Sequence, residues 1–471
     1  MTTHNSNSLL DVAPKIPAPL DPEFRPAGLA NRAYRRAVAA SRQKVTVGIA
    51  VERQQGLVAR HDVEVFAPGS AHDAATVRYL ERTIKFLLWS IGGWKIHLSG
   101  PEAFCLPIRQ AYGRGGARAF DAELMARVYG RPFAVVLAPR EELPAEKAAR
   151  SSIGGHLDGC RIGFDLGASD YKLAAVIDGQ PVFSTEIPWN PKDEPDPQYH
   201  CRTINDGLKL AAKHLPRVDA IGGSSAGIYI DNQVMVASLF RAVPLKDFEA
   251  RVKPMFLDLQ TEWGVPLVVL NDGDVTALAG AMSLGRHAML GIAMGSSEAA
   301  GFLDRLGSLP GWLSELAFAP VDYHAGAAAD EWSGDRGVGA LYFSQQAVNK
   351  LAPAAGFEFP KAMGLPERLK EAQQRADGGD RNALKIFETI GVYLGYAIPH
   401  YLDFYDFENL LILGRVTSGA GGELIMRKAR EVLEKEFPEL AAKITLHVPD
   451  EKSRRVGQAV AAASLPEISR K

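Results

Sequence analysis

At 471 residues, with 46% apolar and 23% charged side chains, the chain has ordinary globular composition and is too long for one core, so two or three domains are expected. Its 53 basic and 55 acidic side chains leave a net charge of −2, which offers no bulk attraction for a nucleic-acid backbone or an anionic membrane. The three cysteines, Cys105, Cys160 and Cys201, lie far apart without CxxC spacing, which excludes a cysteine-rich zinc site and argues against a disulfide framework. No apolar run approaches the ~18 residues of a membrane span, and residues 1–15 lack the basic flank and apolar stretch of a secretory signal. The chain reads as cytoplasmic.

Residues 1–28, rich in Pro, Ser and Asn and without periodicity, are expected to form an extended or disordered arm. From 29 to 150 the pattern alternates. A basic helix over 32–42 precedes two strands around Gln55-Gly56. A helix over 72–90 carries Val77, Leu80, Ile84, Leu87 and Leu88 on one face, and "WKIHLSG" reads as a strand. A helix over 117–129 leads to the strand "RPFAVVLAP". This is an additional N-terminal α/β domain, and the charged, Gly-rich stretch 140–159 marks its boundary. Its element order faintly resembles that of 160–230, which raises a duplicated lobe.

The remainder is again α/β. Two strands and a hairpin at Asp178-Gly179 open it, followed by a helix over 201–214, the strand "VDAIGGSSAG" and a long helix over 246–262. The buried-type strand "VPLVVLNDGD" runs straight into a helix. After "AMLGIAMGSS" come helices over 336–351, 365–375 and 379–402, the strand "NLLILGR", a helix over 421–436, the strand "ITLHVP" and a final helix over 454–464. The Tyr-rich stretch 391–407 suggests ligand stacking, but the helical spacing of Tyr393 and Tyr396 favours packing.

Four junctions carry candidate chemistry. Asp165-Leu166-Gly167-Ala168-Ser169 places a carboxylate and a small-residue turn at a strand end, where backbone N–H groups can approach phosphate and the carboxylate can organise Mg²⁺. Ser169 and Lys172 add a hydroxyl and a cation; a plain β-hairpin is the alternative. Asn271-Asp272 follows a buried strand, where a carboxylate can take a proton from a substrate hydroxyl. Asn and Asp are also preferred helix caps, and one of Asn271, Asp272 and Asp274 could cap while another does chemistry. Gly295 and Ser296 form a second small-residue turn. Gly414 ends an apolar strand where a base and ribose could enter.

In this order and spacing, the four segments resemble the ROK family of sugar kinases and repressors within the actin/hexokinase/Hsp70 superfamily, over roughly 161–465. The resemblance implies a two-lobed, actin-like (ribonuclease H-like) ATPase fold, with a first lobe at 161–285 and a second at 286–471. It places Asp165 to Lys172 on the first phosphate motif, DxGGT, and Asp272 on the catalytic base. Gly295-Ser296 falls on the second phosphate turn and Gly414 on the adenosine turn. "LSELAFAPVD" resembles the GEIGH segment, which makes Glu315 a sugar contact beside Asn271. The family's zinc ligands are replaced by Phe318, Glu331, Ser333 and Val338, so no zinc is expected. A sugar-contacting acid becomes Ala340.

Together these imply a kinase that uses ATP and Mg²⁺ (held by Asp165) on a hexose or similar polyol. Asp272 would be the general base, and Gly167, Ser169, Lys172, Gly295, Ser296 and Gly414 would contact nucleotide or phosphate. A catalytically degenerate sugar or nucleotide sensor is the rival reading. The N-terminal part shows no helix-turn-helix, so no nucleic-acid or membrane partner is expected; the oligomeric state, a homo-oligomer included, is left open.

Overall fold

The computed structural model describes residues 8–148, 153–168, 170–448 and 451–468, with backbone alone at 451–456. An arm over residues 8–26 runs along the second lobe. Leu10, Ala18 and Phe24 are buried in it, and Phe24 meets Tyr393 edge-on with ring centroids 4.6 Å apart. Its backbone is tied as well: Ile16 N–H donates to the Tyr396 hydroxyl (3.0 Å) and Leu20 N–H to Thr389 Oγ1 (3.2 Å). Tyr393 and Tyr396 therefore pack against the chain's own arm, while Tyr401 and Tyr405 lie against Phe86 of the N-terminal domain.

Helix α1 (Ala27–Ala40) follows, then strands β1 (Lys44–Glu52) and β2 (Val58–Phe66), helix α2 (Asp73–Ile91), strand β3 (Lys95–Ser99), helices α3 (Glu102–Ala111) and α4 (Ala119–Tyr129) and strand β4 (Ala134–Leu137). The basic face of α1 is lodged against the second lobe, with Arg32 on Glu439 (3.0 Å) and Arg35 on Asp403 (2.9 Å). The strands form a sheet of order β2-β1-β3-β4 in which β1 and β3 run antiparallel.

The first lobe comprises β5 (Cys160–Leu166), β6 (Asp170–Ile177), β7 (Gln180–Pro188), α5 (Pro197–Ala212), β8 (Ala220–Ser225), the hairpin β9 (Ile228–Ile230) and β10 (Gln233–Val236), the short α6 (Leu245–Asp247), α7 (Met255–Trp263), β11 (Leu267–Asn271) and α8 (Asp272–Leu284). The single helix expected over 246–262 is instead interrupted. A π-type turn over Phe248–Val252 precedes Pro254, whose missing N–H and ring break the ladder before α7. The sheet order is β11-β8-β5-β6-β7, with β5, β8 and β11 parallel. β1 pairs antiparallel with β3, whereas β5 pairs in parallel with β8, the strand in the equivalent place in chain order, so the N-terminal sheet does not repeat the topology of this lobe.

The second lobe holds β12 (Met289–Met294), β13 (Glu298–Leu303), α9 (Gln345–Leu351), α10 (Leu365–Asp377), α11 (Arg381–Tyr401), β14 (Asn409–Leu413), α12 (Gly419–Glu436), α13 (Pro438–Ala441), β15 (Thr445–His447) and α14 (Glu451–Ala463), with sheet order β13-β12-β14-β15. The helix expected over 336–351 begins only at Gln345, capped by Ser344. One continuous apolar core joins the N-terminal domain, the arm and this lobe, and a separate core fills the first lobe. Among the described residues, no helix is long and apolar enough to cross a membrane.

Helix α14 crosses back to the first lobe and lies directly on β5 and β8. Only glycine permits this approach: a Cβ at Gly163 would strike the Ala459 carbonyl oxygen, and one at Gly222 that of Ala462. Gly222→Ala should therefore lower stability by about 3 kcal/mol, at the upper end for overpacking, because the obstacle is backbone. Urea denaturation read by tryptophan fluorescence checks this; an unchanged midpoint would contradict it.

Candidate active site

β5 and β8 pair in parallel with Asp165 opposite Ser224, at the strand ends where open α/β sheets present ligand-binding groups. Ser224 Oγ donates to Asp165 Oδ1 (2.7 Å), and Lys172 Nζ lies 3.6 Å from Asp165 Oδ2 and 3.1 Å from Asp170. Burial pushes the Asp165 carboxyl up, against the lowering effects of Ser224 and Lys172. Gly167 begins the turn, its N–H donating to the Asp170 carbonyl (2.8 Å). Ser169 lies outside the described residues.

β11 passes into α8 without a loop. Asn271 is the N-cap: its Oδ1 accepts from Gly273 N–H (2.7 Å), while its Nδ2 donates to the Gly227 carbonyl (2.7 Å). One lone pair and one N–H of the amide remain. Because Asn271 caps, the Asp272 carboxylate is not needed for that purpose. It is only partly exposed. Burial and the nearby Asp165 charge push it up to about 6, against the lowering effect of backbone N–H groups at the helix start.

Glu315 is likewise partly exposed; burial and the charge of Asp272 push it up to about 7. Behind these two lie Asp274 and Glu298, both fully inside. Burial and Glu315 raise Asp274 well above the carboxylate range. Glu298 reaches about 8 through burial, countered by a bond from the Tyr401 hydroxyl (3.4 Å) and reinforced by Glu315. Its Oε2 has no partner.

On the second lobe, β12 and β13 form a hairpin with Gly295 and the exposed Ser296 at its tip. β12 and β14 run parallel, which brings Gly414 beside that tip. Gly414 adopts φ +104°, and a Cβ there would press on the Met294 backbone. The Gly295 and Gly414 turns are thus brought together, as are Asp165, Asp272 and Glu315.

Asp274 was named in the sequence only as one of three residues that could cap or do chemistry, whereas Ser224, Glu298 and Gln458 were not singled out. Gln458 Nε2 donates to Ser224 Oγ (2.9 Å) and lies 3.4 Å from the Asp272 carbonyl, linking both candidate carboxylates to α14. The acidic pattern around Asp272 was a signal for Asp274. Nothing local marks the other three.

The backbone matches the ROK hexokinase of Thermus thermophilus with a TM-score of 0.51 at 16% identity, over 64% of this chain and 97% of that one. A ROK family transcriptional regulator, a homologue of the E. coli MLC protein, matches with a TM-score of 0.52 at 18% identity, over 66% of this chain and 79% of its own. The chain has the two-lobed, actin-like fold of the ROK proteins. In sequence, a glucokinase of Halalkalibacterium halodurans is 25% identical over 296 residues, which is 58% of this chain and 84% of that protein. No protein-family profile matches.

The four positions expected from the resemblance to stand where ROK proteins hold zinc carry no Cys or His. Phe318 packs on Trp89 (centroids 4.5 Å), Ser333 donates to Asp330 (2.8 Å), Val338 is buried and Glu331 is exposed. Among the described residues, no group of three or more His, Cys, Asp and Glu side chains is placed to hold a metal ion.

The raised carboxyls set a pH dependence. Between its ordinary value of 4.5 and about 8, Glu298 is protonated when folded and ionised when unfolded. The unfolded chain then binds fewer protons, so stability falls as pH rises through that window. Glu298→Gln, neutral and of equal size, should match the parent near pH 4.5 and exceed it by on the order of 2 kcal/mol at pH 8. Urea midpoints measured across pH 4.5–8.5 check this; parallel curves for the two proteins would contradict it.

Proposed function

We propose that this protein is an ATP-dependent kinase that phosphorylates a hydroxyl of a hexose or similar polyol. The observation that carries the reading is the division of labour at the β11–α8 junction. Asn271 caps the helix, which leaves Asp272, raised to about 6, as a partly exposed base beside Asp165. A carboxylate so tuned is mostly ionised at neutral pH yet more basic than a solvated one, as proton abstraction from an alcohol requires. The acceptor oxygen gains a bond to the terminal phosphorus of ATP, the bridging bond to ADP breaks, and the hydroxyl proton passes to Asp272.

Glu315 and the spare N–H and lone pair of Asn271 orient the acceptor. Gly167 and Lys172 face the phosphates from the first lobe, and Gly295 and Ser296 do so from the second, with Gly414 bordering the adenosine; the motif's hydroxyl contact would fall to Ser169. Mg²⁺ accompanying the nucleotide supplies charge neutralisation on the phosphates. Asp165 would hold it, and a desolvated carboxylate with Lys172 no nearer than 3.6 Å fits that use. Most of the rate then comes from positioning and electrostatics. The glucokinase likeness supports a hexose as acceptor.

A second reading, a degenerate sugar or nucleotide sensor, draws on Phe318 and Ala340 standing where ROK proteins contact sugar, and on the equal likeness to a ROK regulator.

If the kinase reading holds, Asp272→Asn should fold normally, because Asn271 keeps the cap, and should lose about 10²–10⁴-fold in turnover with ATP affinity nearly unchanged. Asp165→Asn should instead weaken Mg-ATP binding. Calorimetry and a coupled ADP assay over a panel of hexoses and polyols measure both quantities. Undiminished turnover by Asp272→Asn would remove it as the base, and Mg-ATP binding without turnover of any acceptor would favour the sensor.

A further inference from the structure

The last carbonyls of a helix have no partner within it, and here the sequence solves that problem across a domain boundary. Leu88 of α2 accepts from Gly92 N–H (3.0 Å). The next three carbonyls accept from consecutive amides of the second lobe: Trp89 from Glu315 (2.9 Å), Ser90 from Ser314 (2.8 Å) and Ile91 from Leu313 (3.2 Å). The backbone that carries Glu315 is therefore the C-terminal cap of an N-terminal helix. Arg53, from the end of β1, donates to the Gly311 carbonyl of the same segment.

The next loop is clasped from the same side. Asp335 lies 3.0 Å from Arg82, 3.0 Å from Lys85 and 2.6 Å from Arg118. Lys85 also pairs with Asp121 (3.0 Å), which accepts from Trp89 Nε1 (3.0 Å). Burial alone would raise Asp335, but the three cations hold its carboxyl well below the usual range. Phe318, one 3₁₀ turn past Glu315, packs between Trp89 and Phe120 of α4 (centroids 4.5 and 5.7 Å). Across the cleft, α4 rests on the first-lobe hairpin β9–β10, with Ile228 in the apolar core that the N-terminal domain shares with the second lobe, and Gln55 bonds Asp231 (2.9 Å). That hairpin adjoins Gly227, whose carbonyl holds Asn271.

We infer that the N-terminal domain is the third wall of the acceptor site: it positions Glu315 through the end of α2 and Asn271 through α4 and the β9–β10 hairpin. The inference rests on the proposed kinase reading, in which these two residues orient the acceptor. Residues Trp89, Phe120 and Asp335 are accordingly positioning residues for the acceptor and not for the nucleotide, whose candidate contacts lie on β5, β6, the β12–β13 hairpin and the Gly414 turn.

The test uses the full chain and two variants, Asp335→Asn, which removes the carboxylate shared by three cations, and Phe120→Leu, a milder change that preserves folding if the first does not. Hydrogen–deuterium exchange reports the amides of 313–315, and steady-state kinetics use the panel sugar turned over fastest. Both variants should speed exchange at 313–315 by about ten-fold and raise the acceptor KM by about ten-fold, with the KM for Mg-ATP unchanged. A loss of folded protein alone would lower kcat and leave both KM values in place. Unchanged exchange, or faster exchange with an unchanged acceptor KM, would overturn the inference. If no sugar is turned over, the kinase reading fails on its own, and protected amides at 313–315 that stay protected in both variants would still overturn the positioning claim.

Discussion

The structure turns on a carboxylate held at the exit of a buried parallel strand. Asp272 sits where β11 becomes α8, close enough to Asp165 for that charge to raise it, and its own charge acts on Glu315 and Asp274, with Glu315 acting in turn on Glu298. Among these acids only Asp165 has a lysine beside it, so burial and mutual repulsion hold protons on the others toward neutral pH. Such a cluster weakens the free fold as pH rises, which is a cost usually met at working sites. The glycines that admit α14 against β5 and β8, and the Gln458 amide linking Ser224 to the Asp272 backbone, are the scaffold that keeps two of the acids in register.

That one residue of the Asn271-Asp272-Asp274 group caps α8 and leaves another carboxylate free of that duty was legible in the sequence, because capping draws on local chemistry. An Asn-Asp pair after an apolar strand can only be arranged a few ways, and the side chain one residue earlier takes the cap. The two glycine turns of the second lobe were legible for a similar reason, since a strand followed by small residues states its own geometry. The interrupted helix before β11 is a different case: helical spacing over 246–262 predicts one helix, and the break comes from Pro254, which lacks the N–H that the ladder needs.

What could not be read were the contacts that have no local signature. Glu298 sits in β13 among alanines and glycine, and only the fold shows it buried beside Tyr401 and within the field of Glu315. Arg82, Lys85 and Arg118 read as ordinary helix charges until the loop carrying Asp335 is laid over them. Buried ion pairs of this kind are costly to desolvate and poor evidence of stability, so their use here points to geometry: they fix the loop that carries Asp335 against the N-terminal helices. The N-terminal domain shares its apolar core with the second lobe, which makes it part of the folding unit and not an appendage.

The most direct test of the central claim is the pH dependence of kcat/KM for the acceptor in the parent protein, measured by ADP release at saturating Mg-ATP on the best hexose of the panel. A base tuned as Asp272 is predicts a one-proton acid limb near pH 6, with activity rising above it. A rate that stays flat from pH 5 to pH 8 would contradict the assignment of Asp272 as the group that takes the acceptor's proton.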